Sequence, residues 1–523
     1  MLMLKRSVVP ANPPLWYLMR TLSIVFLSCV GWLVAVSGCS NDGPAPVPSA
    51  AERIFVDGQF ADWAKVTPMH VDPVGDGVEG GIDLGRLWLG HDRRFVFLRI
   101  DVGHEINIQN DNALTLYLDA DNNTETGTQV QGLGVDLTWT FGDRSGQRFQ
   151  NTDTTAITHA DVGLVTAPTV SSTTFEIAFD RQAPSSPFEG DTLRLVVDQQ
   201  AGGDRLPDGS GGVTYPLGEV ESLAPIGVPP RGQASEGSLR VVSYNVEYDG
   251  LFEDERRPAF RRILQALRPG LIGFQEVYDH SAAETRQAVE ELLPARGEET
   301  WYSAKAGLDL VAVSRYPIRA TYEIPGHEDH RSAGFVINAE AALGTDLLFI
   351  LMHPPCCSGG TPPADERRQQ VVDNVLAFLR DAQSEGGTID VAPGTPVIVA
   401  GDMNFVGDDQ LPFSLRTGTV ADTSRFGPSF APDWDGSSLT DLSPPLTGWP
   451  MDFTWYDLES SFSPGRLDYI LYTDSVLRTI RQYTLFTPAL SADQLEARGL
   501  QSDDVLQASD HLPLVVDVAP VGE

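Results

Sequence analysis

The sequence predicts two folded segments of different class, an all-β segment followed by a segment of layered sheets covered by helices. Three observations support this prediction. The chain has 523 residues, more than one domain usually holds. Short alternating strands and turns fill the region before residue 219, whereas apolar strands and amphipathic helices alternate after residue 238. A stretch rich in Pro, Gly and Ser, residues 219–238, indicates a linker between the two segments.

Composition excludes some classes of protein. Hydrophobic residues make up 41% of the chain, which is enough for folded cores and argues against general disorder. The net charge is -36, and the only lysines are Lys5, Lys65 and Lys305. Because such a chain repels polyanions, the charge argues against a role in coating nucleic acid, although it says nothing about a local pocket.

Residues 1–39 have the pattern of a secretory leader. Basic residues precede an apolar run, residues 22–36, that is shorter than the about 20 residues a membrane-spanning helix needs. The run ends in Val36-Ser37-Gly38-Cys39, which resembles a bacterial lipobox. This resemblance implies export, lipidation of Cys39 and anchoring to the outer membrane or cell surface, with residues 40–51 as a tether. An ordinary signal peptide or an uncleaved anchor is the alternative.

Residues 52–218 are predicted to form a β-sandwich. Alternating apolar residues mark strands near residues 114–118, 175–179 and 193–197, with turn-rich segments between them. The motifs at residues 56–63 and 117–127 resemble family 9 carbohydrate-binding-module-like sandwiches, which implies a glycan as a partner. Trp63, Trp88 and Trp139 are candidates for stacking on sugars, although core positions are the preferred interpretation.

Three alternating oxygen-bearing side chains in this segment, Asp119, Asp121 and Asn123, suggest a Ca²⁺ site. Hard oxygen ligands at this spacing suit Ca²⁺. Thr124 occupies the position of the glycine in an EF-hand loop, so the segment is not an EF-hand. A solvated turn is the equal alternative.

Residues 239–520 are predicted to alternate strands and helices. The predicted strands include residues 239–246, 271–277, 309–314, 347–352 and 397–400, and the predicted helices are residues 255–268, a helix beginning at Ser281, and residues 364–381. Sheets covered by helices are the natural architecture for this pattern. We also expect this segment to fold alone and to act on a small substrate.

Polar residues follow the apolar strands of this segment. The run at residues 397–400 ends in Gly401-Asp402-Met403-Asn404, whose Asp and Asn project to the same side of an extended chain. Taken alone, this motif is more typical of a turn. Five further motifs accompany it: Ser243-Tyr244-Asn245-Val246, Phe274-Gln275-Glu276-Val277, Leu351-Met352-His353, Arg466-Leu467-Asp468-Tyr469-Ile470 and Ser509-Asp510-His511-Leu512-Pro513. In that order the six resemble the endonuclease/exonuclease/phosphatase superfamily.

That resemblance implies a deoxyribonuclease-I-like, four-layer α/β-sandwich that hydrolyses phosphoesters. Asn245, Glu276 and Asp510 would hold Mg²⁺, for which Mn²⁺ could substitute. Asp402 would activate the attacking water, and His511, oriented by Asp468, would contact the phosphate. The remaining assignments are His353 as the second histidine, and Asn404 and Arg331 as ligands of phosphoryl oxygens. The residue types suit this chemistry, since Glu276 is a hard carboxylate and both histidines titrate near neutrality.

Two features depart from the resemblance. Residues 354–360 after His353 include Cys356 and Cys357, which are either free or joined in a vicinal disulfide. Residues 405–463 form a long insertion that contains Trp434, Trp449 and Trp455, and long loops of this kind often form substrate walls.

The sequence thus favours an exported, metal-dependent phosphoesterase that cleaves phosphodiester or phosphomonoester bonds. The alternatives are an extracellular nuclease acting on DNA or RNA, and a glycan-binding surface lipoprotein whose C-terminal domain is not catalytic. Small or membrane-borne phosphoesters are favoured over long duplex DNA, because duplex binding relies on several Lys or Arg contacts.

Overall fold

Both predicted segments form β-sheets in the structure, which is a computed structural model. It describes residues 53–77, 81–150, 152–199, 203–220, 223, 226–227, 237–294, 297, 300–324, 331–356, 362–389 and 391–522. Cys39, the predicted leader and most of the predicted linker lie outside these residues. Within the described part of the chain, no helix has the length and apolar character needed to span a membrane.

The N-terminal region contains two antiparallel sheets. Its elements are β1 (His70–Val71), β2 (Arg86–His91), β3 (Phe95–Ile106), β4 (Leu114–Asp119), β5 (Thr128–Val130), β6 (Leu133–Val135), β7 (Leu137–Thr140), β8 (Ser145–Gln150), β9 (Asp153–Ile157), α1 (His159–Val162), β10 (Val165–Ala167), β11 (Ser172–Asp180), β12 (Thr192–Gln199), β13 (Arg205–Leu206) and β14 (Val213–Pro216). The first sheet has the order β1-β2-β3-β11-β10 and the second β13-β12-β4-β7-β8-β9, with β14 beside β12. β5 and β6 form a separate hairpin.

The two N-terminal sheets share one hydrophobic core. Alternate residues of β3, such as Leu98 and Ile100, meet alternate residues of β4, such as Leu116 and Leu118. Trp139 lies in this core and is 2% exposed. Trp63 and Trp88 are also buried, in a different cluster, so none of the three tryptophans offers a stacking surface to a sugar.

The C-terminal region contains two six-stranded sheets. Its elements are β15 (Leu239–Asn245), α2 (Arg257–Leu267), β16 (Leu271–Gln275), α3 (Ala282–Leu292), β17 (Tyr302–Ala306), β18 (Leu310–Ser314), β19 (Ile318–Ile324), β20 (Ser332–Ile337), α4 (Glu340–Leu343), β21 (Leu347–Met352), α5 (Pro362–Gln383), β22 (Val397–Asp402), α6 (Gln410–Thr417), α7 (Thr423–Phe426), β23 (Thr440–Leu442), β24 (Asp468–Tyr472), β25 (Leu477–Thr484), α8 (Ala492–Glu496), α9 (Asp504–Ala508) and β26 (Leu514–Pro520). The sheet orders are β17-β18-β16-β15-β26-β25 and β19-β20-β21-β22-β24-β23.

These two sheets form the middle of a four-layer arrangement, as the sequence analysis expected for this region. Residues of β15 and β16 contact residues of β20 and β21 in the core between the sheets. The other face of the first sheet packs against α2 and α3, and the other face of the second packs against α5 and α6. The strands at the centre of each sheet, β15 with β16 and β21 with β22, pair in parallel. Their carboxyl ends therefore lie side by side.

The insertion at residues 405–463 is more structured than its composition indicates. It contains α6, α7 and β23. Trp434 packs beside α5, and its indole donates a hydrogen bond of 2.8 Å to the Thr395 carbonyl. Trp449 packs in a core with Phe95 of the N-terminal region, with their ring centroids 5.3 Å apart.

The N-terminal and C-terminal regions share this last core. Residues 47–523 form one compact unit. Buried residues of the N-terminal region, among them Val56, Trp63 and Phe95, belong to the same cluster as residues of β15 and α2. The Val56 amide also donates a hydrogen bond of 2.9 Å to the Pro450 carbonyl. The C-terminal region is therefore not a separate globule joined only by a linker.

Candidate active site

The polar residues that follow the apolar strands meet at one edge of the paired sheets. Asn245 ends β15, Glu276 follows β16, Asp402 ends β22 and Asp468 begins β24. Glu276 and Asn404 have positive φ angles, 64° and 51°, a conformation that non-glycine residues adopt rarely and often at functional sites.

Asp402 lies at the centre of the group. Its Oδ2 accepts a hydrogen bond of 3.1 Å from the side-chain amide of Asn245. The same Asn245 nitrogen, Nδ2, also donates to Glu276 Oε1 at 3.0 Å. The Nε2 atoms of His353 and His511 lie 3.5 Å and 3.6 Å from the same Asp402 oxygen. Two imidazoles therefore flank one carboxylate, with the Glu276 carboxylate beside it.

A buried carboxylate orients each of the two histidines. The Nδ1–H of His511 donates to Asp468 Oδ2 at 2.8 Å. The Nδ1–H of His353 donates to Asp309, which also accepts a hydrogen bond of 3.0 Å from the Glu276 amide. Asp309 is fully buried. Both Nε2 atoms are thereby directed toward Asp402.

The charges of these residues shift one another's pKa values. Burial alone would lower the pKa of His511, but Asp468 and Asp402 raise it well above its ordinary value. Burial alone would also lower the pKa of His353, but Asp309 raises it. Burial raises the pKa of Asp402 to about 6, and nearby Asp468 and Glu276 add to the increase while the histidines oppose it. The site thus favours cationic imidazoles beside a carboxyl group that titrates near neutrality.

Several of these groups could hold a metal ion. Ligand atoms of Glu276, His353 and Asp402 lie within 4.8 Å of one another, as do those of Asp402, Asp468 and His511. The donor set fits a small divalent cation, because it is rich in carboxylate oxygens. Asp510 adds a further unsatisfied carboxylate, since its buried Oδ1 has no hydrogen-bond partner while Oδ2 accepts the Trp455 indole N–H at 3.0 Å.

Asn245 would contribute to a metal site only after its amide group turned over. Its Oδ1 accepts the Glu247 amide at 2.9 Å, and its nitrogen faces Glu276 and Asp402. Asn245 therefore now acts as a bridge between the two carboxylates.

The two predicted phosphate ligands occupy different places. Asn404 lines the cavity beside Asp402, donates its backbone N–H to that carboxylate at 3.0 Å and donates its side-chain N–H to the Pro354 carbonyl at 3.1 Å. Arg331 does not line the cavity. Its guanidinium lies near Asp309 and hydrogen bonds with Tyr278.

The site opens into a cavity of about 330 Å³ with walls from both regions of the chain. Glu276, Asp402, Asp510 and His511 lie on one side. Its other lining residues come from the N-terminal region (Asn107, Gln109, Asn110, Thr169) and from the rim of the C-terminal region (Glu247, Tyr248, Cys356, Asn404, Val406, Trp455, Phe462, Ser463, Gly465, Leu467). None of these described lining residues is Lys or Arg.

The N-terminal wall is fixed by hydrogen bonds across the junction. The Asn107 side chain donates to the Val406 carbonyl at 2.7 Å. Gln109 Oε1 accepts the Ser463 amide at 2.8 Å, and Thr169 Oγ1 accepts the Arg466 amide at 2.8 Å. The wall is therefore attached to the same segments that carry Asp402 and Asp468.

The candidate Ca²⁺ residues Asp119, Asp121 and Asn123 do not line this cavity. The Asn123 amide donates to Asp119 Oδ1 at 3.1 Å and to Asp121 Oδ1 at 2.9 Å. Asn123 Oδ1 in turn accepts the Glu125 amide at 3.0 Å. The polar groups of this loop therefore bond to one another, as expected for the alternative of a solvated turn.

Sequence reasoning missed two parts of the site. Asp309 precedes β18 as an isolated acidic residue, so nothing in its local pattern distinguishes it from the start of a strand. The Asn107–Asn110 loop carries the turn residues of an ordinary connection, and its role depends on contact with a region about 300 residues away, as in the 299-residue separation of Asn107 and Val406.

Comparison with known proteins identifies the class to which this site belongs. Residues 242–511, just over half of the chain, match the Endonuclease/Exonuclease/phosphatase family, and the chain therefore belongs to this family. None of the curated proteins is similar in sequence to the chain.

Several solved structures are similar to about half of this chain. A 2',3'-cyclic phosphatase, ANGEL2, in complex with adenosine-2',3'-vanadate is 15% identical, covers 55% of this chain and 97% of its own, and has a TM-score of 0.38. TDP2 from D. rerio, complexed with a single-strand DNA product, is 16% identical over 54% and 98% of the two chains, with a TM-score of 0.33. Sphingomyelinase C from Streptomyces griseocarneus is 18% identical over 54% and 99%, with a TM-score of 0.32.

Proposed function

We propose that this protein is a divalent-metal-dependent phosphoesterase that hydrolyses small phosphoesters by attack of water. The observation that carries the proposal is the position of Asp402, between two carboxylate-anchored histidines and beside Glu276. Phosphoester hydrolysis needs a base for the water, cationic groups for the phosphoryl oxygens and a means of stabilising the leaving oxygen. Asp402 and the two histidines can supply the first two.

Asp402 is the proposed base. A base works best when its pKa lies near the working pH, and the pKa of this carboxyl group is raised to about 6. The histidine Nε2 atoms at 3.5 Å and 3.6 Å are too distant for strong hydrogen bonds to Asp402, so the carboxylate can still accept a proton from water. The oxygen of that water would form the new bond to phosphorus while the ester P–O bond breaks.

His353 and His511 are the proposed donors to the phosphoryl oxygens. Their pKa values are raised, which favours the cationic form that can donate from Nε2. Asn404 lies in the same cavity and is the proposed third polar contact. Glu276 and Asp510, together with Asn245 after its amide turns, would hold Mg²⁺ or Mn²⁺. A bound ion would offset phosphoryl charge and stabilise the leaving oxygen.

The cavity favours a small substrate. Its described lining contains no Lys or Arg, whereas long duplex DNA is normally held by several cationic contacts to phosphates. Aromatic and apolar side chains at the rim, Trp455, Phe462 and Leu467, suit the organic group of a compact phosphoester instead. A single phosphodiester or the headgroup of a phospholipid suits a cavity with these walls.

The test is a substrate panel assayed with the full chain. Bis-p-nitrophenyl phosphate, p-nitrophenyl phosphate, phospholipid vesicles and supercoiled plasmid are compared with Mg²⁺ and with EDTA. We expect Mg²⁺-dependent release from the small esters or the vesicles and little plasmid nicking. Asp402→Asn and Glu276→Gln should each reduce turnover by about 10²–10⁴-fold. The matched control is Asp408→Asn, an exposed carboxylate near Asp402, which should keep wild-type turnover.

Two outcomes would contradict the proposal. Turnover that persists in EDTA and in Glu276→Gln would remove the metal from the reaction. Efficient nicking of the plasmid at physiological salt, without hydrolysis of the small esters, would favour an extracellular nuclease.

We also propose that the protein is exported and lipid-anchored through Cys39. The lipobox-like Val36-Ser37-Gly38-Cys39 at the end of an apolar run supports this proposal. Metabolic labelling with a radioactive fatty acid tests it, since Cys39→Ala should abolish labelling and shift the protein out of the membrane fraction. Labelling that survives in Cys39→Ala would contradict it.

A further inference from the structure

A group of five aspartates in the N-terminal region forms a second acidic centre, here called the Asp204 cluster. Oxygen atoms of Asp72, Asp204 and Asp208 lie within 4.8 Å of one another, and so do those of Asp76, Asp83 and Asp204. Asp204 belongs to both sets and joins them. None of the five residues lines the active-site cavity.

One member of the cluster is buried and has an unused oxygen. Asp72 is 3% exposed, and its Oδ2 has no hydrogen-bond partner. The other oxygen lies 3.3 Å from His70 Nε2. Burial, followed by the charges of Asp208 and Asp204, raises the pKa of Asp72 to about 6. An unpartnered buried carboxylate oxygen that faces other carboxylates is unfavourable unless a cation joins it.

Backbone hydrogen bonds hold two of the other carboxylates in place. Asp204 accepts the amides of Arg205 at 2.6 Å and Leu84 at 2.5 Å. Asp83 accepts the Gly75 amide through both oxygens, at 2.9 Å and 3.0 Å. A side chain at Gly77 would place its Cβ 3.2 Å from the Asp204 Cβ, so the connecting loop passes close to the cluster. The carboxylates therefore remain close together despite their mutual repulsion.

We propose that the Asp204 cluster binds Ca²⁺. Ca²⁺ takes about six to eight oxygen ligands in flexible geometry, which five carboxylates with loop carbonyls and water can supply. Mg²⁺ requires a stricter octahedron and retains its waters, so it suits the cluster less well. The ion would connect the two N-terminal sheets, since Asp72 follows β1 of the first sheet and Asp204 precedes β13 of the second.

The test measures Ca²⁺ binding and thermal unfolding of the full chain, and it does not depend on activity. All variants carry Glu276→Gln, which weakens Ca²⁺ binding in the active-site cavity. In chelator-treated buffer, 1 mM CaCl₂ should raise the melting temperature by about 4 °C, and 1 mM MgCl₂ should raise it less. Calorimetric titration with CaCl₂ gives the affinity.

Four further substitutions locate the ion. Asp204→Asn should abolish the shift, and Asp208→Asn, at an exposed position that leaves the fold intact, should weaken Ca²⁺ binding at least tenfold. Asp153→Asn, an exposed carboxylate outside the cluster, and Asp121→Asn, in the other candidate loop, should leave the shift unchanged. If Asp204→Asn does not fold, the Ca²⁺ affinity of Asp208→Asn tests the proposal instead.

The proposal is wrong if CaCl₂ gives no shift in the parent protein, or if Asp208→Asn binds Ca²⁺ as tightly as the parent. It is also wrong if Asp121→Asn removes the shift, because the ion would then belong to the loop that contains Asp119 and Asn123.

Discussion

At the scale of single residues, the site depends on two imidazoles with the same arrangement. Each is buried, each has its Nδ1–H on an aspartate, and each directs Nε2 toward Asp402. The aspartates keep both rings in the orientation and the charge state that donation to an oxyanion requires. In the proposed mechanism, Asp309 and Asp468 are therefore positioning residues, which act through His353 and His511.

Replacing Asp309 should test this arrangement. Asp309→Asn keeps the shape of the side chain but removes the charge that raises the pKa of His353. We expect kcat to fall by about 10–100-fold with a smaller change in KM. Because the cationic form of His353 would then be lost at a lower pH, the alkaline limb of the pH–rate profile should move to lower pH.

The matched control for Asp309→Asn is Asp279→Asn, which lies on the exposed surface nearby. Its rate and pH profile should equal those of the wild type. A purely structural role for Asp309 would lower the yield of folded protein without moving the pH profile, and that result would contradict the positioning role.

How far the sequence predicted the site also depends on single residues. Asp402, Asp468 and His511 could be placed because the order of the motifs that contain them resembles the endonuclease/exonuclease/phosphatase superfamily. Asp309 could not be placed, since its contact with His353 spans 44 residues and arises only when β18 and β21 are brought together by the two sheets. The amide orientation of Asn245 likewise depends on the Glu247 backbone, which no local pattern shows.

At the scale of elements, the loop after β3 is the part of the N-terminal region that enters the cavity. Asn107 and Gln109 attach this loop to the segments around Val406 and Ser463. Asn110 lines the cavity as well and is only partly buried. A larger side chain at Asn110 would therefore reduce the space available to a substrate without disturbing the attachment.

Asn110→Trp should raise KM for bis-p-nitrophenyl phosphate by about tenfold, a loss of about 1.4 kcal/mol in binding. KM for the smaller p-nitrophenyl phosphate should change less, and kcat should change little for either ester. Steady-state kinetics on both esters measure the difference.

The control is His104→Trp, which introduces the same large side chain at an exposed position near the end of β3. Equal effects of Asn110→Trp on both esters, or equal effects of the two substitutions, would show that the loop does not select by size.

Elements were predicted better than their roles. The strands and helices of the C-terminal region follow strong apolar periodicity, and α3 begins after Ser281, whose capping box with Glu284 is present. The insertion at residues 405–463 has weak periodicity, and Trp434 and Trp449 pack against two different hydrophobic cores. Only Trp455, of its three tryptophans, lines the cavity.

At the scale of the whole molecule, the two regions share a core where the sequence predicts a linker and independent folding. A chain that starts at Ser238 would expose the surface on which Val56, Trp63 and Phe95 pack. Exposed apolar surface of this kind promotes association, and its loss from the core lowers stability. We therefore expect the truncated chain to aggregate or to unfold at a lower temperature.

Size-exclusion chromatography and circular dichroism check this prediction. A chain that starts at Glu52 is the control, since it lacks only the predicted leader and tether and should remain monomeric and folded. A monomeric, cooperatively folded and active chain from Ser238 would show that the shared core is dispensable.

The junction between the regions also predicts a dependence of stability on pH. Burial raises the pKa of Asp452 to about 7, and Asp57 adds to the increase while Arg466 opposes it. Burial likewise raises the pKa of Asp57 to about 6. Because both folded values lie above the unfolded value near 3.8, the folded state binds more protons between about pH 4 and pH 7. Stability should fall as the pH rises through this window.

Asp452→Asn should flatten this dependence, since the amide keeps the volume and can still accept the Ser443 hydroxyl, which now donates to Asp452 at 2.6 Å. At pH 8 the variant should be more stable than the wild type by about 2 kcal/mol, and at pH 4 the two should be equal. Denaturant unfolding at both pH values measures this, with exposed Asp254→Asn as the control. A wild type that is more stable at pH 8 than the variant would contradict it.

The place of β26 in its sheet has a consequence for biosynthesis. This strand lies inside the sheet, between β15 and β25, yet it follows every other element of the two regions in chain order. His511 directly precedes it. A nascent chain that emerges from the ribosome amino end first therefore lacks an internal strand and one of the two imidazoles until residue 520 has been released. The proposed site should therefore remain incomplete until this segment has emerged from the ribosome.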